Sequence, residues 1–150
     1  MKKRELNTTK VRRGLESPED YYREAYRYYE NARERLRETS VIHNRYQDPK
    51  VVSEACGTCY LAVLLALDGY LLTRGVSPSN LPKTTTEYWS SIKERLAHNG
   101  KIQDAFNTAW EELHVAGYYR GFSSVGMIKD GFQNARWILD TLSKIKQKRA

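Results

Sequence analysis

Proline and glycine are scarce in this chain, four and nine in 150 residues, which removes the turn punctuation that many short strands require. Cysteine is scarcer still. Two thiols, Cys56 and Cys59, cannot complete the four-ligand shell of a structural zinc, and the sequence holds no second pair. The longest apolar run, Cys59 to Leu67, stops at Asp68 and falls well short of the ~20 residues that a membrane span needs. Met1-Lys2-Lys3-Arg4 is not followed by an apolar stretch, so no secretory leader is expected and the expected compartment is the cytoplasm.

Hydrophobic residues make up 40% of the chain and charged residues 29%, the balance of a globular domain. At this length folding removes roughly 68–70% of the unfolded surface from water, enough for a real core. The net charge of +7 would point to nucleic acid if it lay on the folded body. It lies at the ends instead. Residues 1–13 contribute +5 and residues 144–149 contribute +4, which leaves −2 for residues 14–143. Basic tails of this kind solubilise a protein more often than they read a nucleic acid.

Residues 1–16 show no sustained period and are expected to form a mobile basic arm. Ser17-Pro18-Glu19-Asp20 then combines a capping serine, a proline at the first helical position and acids in the first turn, which together start a helix. Its inner stripe is Tyr22, Ala25, Tyr29, Ala32 and Leu36. Five of the eleven tyrosines lie on this helix, more than one stripe can bury, so some phenols are expected to reach water or a partner. Asp48-Pro49 starts a second helix that runs to Arg74 and is apolar nearly all round, so other helices must surround it. Gly75 ends it.

A loop at 76–83 leads to a third helix, capped in Thr84-Thr85-Thr86-Glu87, with Tyr88, Trp89, Ile92 and Leu96 inward. The Asn99-Gly100 joint makes it a near neighbour of a fourth helix, Lys101 to Tyr119, which turns in Ile102, Ala105, Phe106, Ala109, Trp110 and Leu113. After a turn dotted by Gly117, Gly121 and Gly126, the positions of Ile128, Phe132, Ala135, Leu139, Leu142 and Ile145 define a fifth. No strand pattern is expected.

Three motifs have chemical lookalikes. Cys56-Gly57-Thr58-Cys59 has redox spacing but sits inside an apolar helix, where small residues let a neighbouring helix approach closely. Glu111-x-x-His114 has the spacing of a di-iron ligand pair, yet no second copy exists, and Glu94 and His98 are four apart. Gly121-Phe-Ser-Ser-Val-Gly126 copies the start of a phosphate loop, but Met127-Ile128 stand where Lys and Ser/Thr are needed. The densest polar-aromatic cluster is Trp110, His114, Tyr118, Tyr119 and Arg120. A cluster of that composition either grips a partner or fills the gap between helices four, five and two.

The central helix, Ala55 through Gly75, followed by a loop and two more helices, resembles the HEPN-like helical-bundle superfamily, in particular its uncharacterised bacterial members. That resemblance implies a cytoplasmic dimer, often an accessory to a nucleotidyltransferase, or an RNase of a conflict system with an Arg-x4-6-His motif late in the bundle. Here His114 and Arg120 lie in that region in reversed order, and Arg37 and His43 have the right order near the end of the first helix. No catalytic residue is carried over.

The expectation is therefore an all-α, four- to five-helix up-down bundle over residues 17–147, built around a central helix at about residues 48–74. Its expected function is that of a non-catalytic binding or assembly module, a homodimer, with Trp110, His114, Tyr118, Tyr119 and Arg120 as the binding surface. Neither cofactor, metal nor membrane is implied, and a protein or an RNA is the further partner that such a surface suits. The alternative is an RNA-directed enzyme in which His114 exchanges a proton, Arg120 holds phosphate and Tyr118 or Tyr119 orients the substrate.

Overall fold

A computed structural model of the protein describes residues 8–96 and 99–145. Within them lie a short helix α1 (Thr8–Val11), α2 (Pro18–Leu36), α3 (Pro49–Thr73), α4 (Thr85–Arg95), α5 (Gly100–Ala109), a π-helical continuation of α5 (Trp110–Tyr119) and α6 (Val125–Ser143). The architecture is an all-α bundle with α3 at its centre. His98 lies outside the described residues, as do 146 and 147 at the end of the expected domain.

Local signals set the helix limits. Ser17 and Asp20 form a reciprocal capping box on α2, and Thr84 and Glu87 form another on α4. The Asp48 side chain accepts the Lys50 and Val51 amides at the start of α3, and Gly75, at φ 90°, takes the left-handed turn that ends it. Between these stops, Ala62 through Leu71 is buried without a break. Each fully buried leucine in this run contributes roughly 1.5–3 kcal/mol. By length and composition α3 could span a bilayer, yet 78% of its most apolar window is buried inside the protein. It is a core helix.

α2 and α6 flank α3, and both use it closely. The Tyr22 ring and the Tyr21 Cβ crowd Gly69 so tightly that a Cβ there would lie 3.0 Å from the Tyr22 ring. All five tyrosines of α2 are buried or half-buried: Tyr26, for example, donates its hydroxyl to Asp140 on α6 at 2.6 Å. Of the phenols expected to reach water or a partner, Tyr26 finds its acceptor on α6, Tyr22 packs beside Gly69, and Tyr28 stays half-buried at the surface of the bundle. Trp89 of α4 meets Phe106 of α5 edge-on at 4.7 Å.

Asp68 lies inside the buried run, with no exposed surface. Its carboxylate accepts Arg12 Nε and Nη2, both at 3.0 Å, and the Tyr88 hydroxyl at 2.9 Å. Arg12 also donates to the Pro82 carbonyl and to Tyr88 Oη. The described part of the expected mobile arm, residues 8–16, is therefore ordered against the bundle, because a buried carboxylate requires a cation that its own helix does not supply.

The hairpin is the second departure from the sequence expectation. Residues 41–46 form an antiparallel pair, β1 (Val41–Ile42) and β2 (Arg45–Tyr46), with Val41 opposite Tyr46 and Ile42 opposite Arg45. His43 and Asn44 both have positive φ, 51° and 60°, which is the mirror-image turn that two-residue hairpins need. Two residues per strand give no alternation to detect, so only the docked structure reveals it. Tyr46 N donates to Ser123 O and Val125 N to Asn44 O, which fixes the hairpin against the start of α6.

Arg12→Ala should lower stability by roughly 3–5 kcal/mol, because it leaves a carboxylate buried without its cation. Adding Asp68→Asn should recover part of that loss in urea titrations; an unchanged midpoint in the single variant would show that the pair does not hold the arm.

Candidate functional site

All five residues of the expected cluster lie on the π-helical segment or at its end, where the single α-helix expected from Lys101 to Tyr119 widens. The Arg120 amide reaches back five residues to the Val115 carbonyl, at 3.0 Å. Long π segments are rare, and close packing on α3 accompanies this one. At Gly117 a Cβ would overlap Cys56 Sγ and lie 2.8 Å from Cys56 Cβ; at Gly57 it would lie 2.9 Å from the Tyr118 ring. The Cys-Gly-Thr-Cys stretch thus serves helix approach. Burial pushes the Cys56 thiol up to about 12, which leaves it protonated and unreactive. Of the three glycines expected in the following turn, only Gly121 (φ 66°) is there; Gly117 is in the π segment and Gly126 in α6.

The wider turn brings side chains four apart into a ladder. His114 lies 6.3 Å from Trp110, stacks on Tyr118 at 5.8 Å and faces Tyr60 of α3 at 4.8 Å. The Tyr119 ring meets its edge at 5.7 Å. Burial lowers the His114 pKa, so the imidazole is neutral at neutral pH. No hydrogen bond or ring contact joins it to Arg120 among the described residues. The inner half of the cluster, Trp110 and His114, is half-buried packing, whereas Tyr118 is 47% exposed and Tyr119 63% exposed. Only the outer half faces water.

Further exposed apolar side chains lie on the segments that follow it and dock against it. Ser53 Oγ donates to the Tyr118 carbonyl at 3.0 Å, which ties the π segment to the start of α3. Phe122, 50% exposed, follows in the loop whose next residues hold the hairpin, and Ile42 on that hairpin is 53% exposed. The phosphate-loop lookalike is occupied by this docking: the Ser123 carbonyl and the Ser124 backbone pair with β2.

No group of three or more His, Cys, Asp or Glu side chains converges as a metal set among the described residues. Glu111 is exposed, whereas the His114 ring is half-buried. Its neighbour Glu112 is more unusual, with Oε2 buried and no hydrogen-bond partner for that atom. Burial and the nearby Asp130 carboxylate push it up to about 8.

A cleft of about 580 Å³ opens between α2, the hairpin and α6, on residues that the sequence did not single out as a site. Tyr29, Tyr46 and Phe132 form its floor, and Arg33, Arg37, Lys129 and Arg136 stand around it. The Arg33 and Arg136 guanidinium groups lie 5.9 Å and 5.6 Å from the Tyr29 ring centre. No carboxylate lines the cleft among the described residues. The four cations come from two helices 92 residues or more apart in sequence, each of mixed charge, so no local run of basic residues announces them.

Two variants test these packing assignments. Gly117→Ala should cost about 1–3 kcal/mol by overpacking, and Cys56→Gly should restore much of it in the double variant. The native state holds the Glu112 proton more tightly than the unfolded chain, whose carboxyl titrates near 4.5, so stability should fall as pH rises towards about 8. Glu112→Gln should flatten that slope between pH 6.5 and 8. An unchanged slope in chemical denaturation would assign the proton elsewhere.

Among curated proteins nothing matches the chain. A solved structure of a protein of unknown function from Dyadobacter fermentans is similar to it: 32% identical, TM-score 0.71, covering 86% of this chain and 98% of that one. A family model described as a domain of unknown function, DUF5618, matches residues 20–144, which is α2 through α6 with the hairpin and all of both surfaces described above. The chain belongs to the DUF5618 family.

Proposed function

We propose that this protein is a non-catalytic binding and assembly module of the HEPN-like type, which acts in the cytoplasm as a homodimer. The observation that carries the reading is the apolar end of the bundle, where Tyr118, Tyr119, Phe122 and Ile42 are all about half exposed or more. These side chains are held in place by backbone bonds between the hairpin, the loop before α6 and the π segment, so they are presented on a fixed surface. Fixed aromatic side chains beside an arginine, here Arg120, are the composition of an interface core with a polar rim. A second copy related by a two-fold axis is the commonest way such a surface becomes covered.

The RNA-directed reading finds less support. An acid-base histidine needs an open edge within reach of the scissile group and a phosphate-holding cation nearby. His114 is instead packed among Tyr60, Tyr118 and Tyr119, without contact to Arg120.

Sedimentation velocity across the micromolar range should show a concentration-dependent dimer. Tyr119→Ser combined with Phe122→Ser should weaken it by about 2 kcal/mol or more without changing the helical circular dichroism. A wild-type protein that stays monomeric throughout would remove the proposal.

A further inference from the structure

The cleft between α2, the hairpin and α6 is a second site, and it does not depend on self-association. Its volume, about 580 Å³, falls inside the range of about 300–1,000 Å³ that holds small molecules. Its charges are unevenly satisfied. Glu30 lies 3.5 Å from Arg33 and 3.6 Å from Arg136, and Asp140 lies 3.0 Å from Arg136, so these two cations already have acidic partners. Of the other acids near the end of α2, Glu38 pairs with Arg35, which also holds Glu54 of α3, while Glu34 is exposed to water. Arg37 and Lys129 form no ion pair among the described residues, and they line the same cleft from the end of α2 and from α6.

Beneath them the floor is apolar. Tyr29 and Phe132 are buried and meet at 6.1 Å between ring centres, and Tyr46 of the hairpin is buried as well. A bare inorganic anion would neutralise the cations but make no use of the apolar lining of the cleft. An uncharged hydrocarbon would cover the floor and leave two positive charges unanswered. Two free cations above an aromatic floor call for one molecule with both properties: a group of charge about −2 joined to a compact apolar body.

We infer that the cleft lined by Arg37, Lys129, Tyr29, Tyr46 and Phe132 binds a phosphomonoester that carries an apolar body. The phosphate is held by Arg37 and Lys129, with Arg33 and Arg136 adding field, and the body lies on the aromatic floor.

Naphthyl phosphate is a suitable probe, titrated into the full-length protein by calorimetry at low salt, with inorganic phosphate and naphthol as comparators. Saturable one-to-one binding of the ester is expected, at least tenfold tighter than either comparator and weakened by added salt. Arg37→Gln with Lys129→Gln should weaken the ester at least tenfold. Both side chains are exposed, so the double variant should melt with the wild-type circular dichroism signal. Equal affinity of ester and naphthol, equal affinity of ester and inorganic phosphate, failure to saturate, or wild-type affinity in the folded double variant would each overturn the assignment.

Discussion

Burying Asp68 on every side is the constraint from which the rest of the bundle follows. A carboxylate within the most deeply buried stretch of α3 is stable only with a cation and hydrogen-bond donors around it, and α3 itself offers none. The cation comes from Arg12, and one donor comes from Tyr88 on α4. A single buried charge thereby connects the N-terminal segment, the central helix and the loop carbonyl of Pro82. The apolar run supplies the energy of burial, while the carboxylate limits the ways in which the outer segments can be arranged over it. Burial and ion pairing oppose each other at this carboxyl, and burial prevails enough to raise it to about 6.

A similar exchange between size and distance shapes the other side of α3. Small residues at Cys56, Gly57 and Gly117 let the backbone of the π segment come close. The segment widens there, and its aromatic side chains line up over Tyr60 instead of spreading around a regular helix. Packing thus accounts for Trp110 and His114. It does not account for Tyr118, Tyr119 and Phe122, which stand exposed at that end of the molecule.

The two surfaces differ in how they arise. The apolar end is largely local in origin, since Tyr118, Tyr119 and Phe122 are close in sequence and only Ile42 comes from elsewhere. The cleft is assembled from α2, α6 and a pair of two-residue strands, while nearby acids such as Glu38 and Glu54 pair with Arg35. On each helix alone the same arginines and the lysine sit among acids and look like an ordinary solvated face.

The number, order and limits of the main helices were decided by the sequence alone, because caps, prolines and hydrophobic periods act over three or four residues. Ser17, Asp48, Thr84 and Gly75 stand where local chemistry requires them. So does the central position of α3, since a helix without a polar face has nowhere else to be. Tertiary structure decided the docking of Arg12, the hairpin at 41–46, the widening after Ala109 and the gathering of Arg37 and Lys129 over one floor. Each of these depends on partners distant along the chain, and a side chain's neighbours in space are set by packing, which no local pattern encodes.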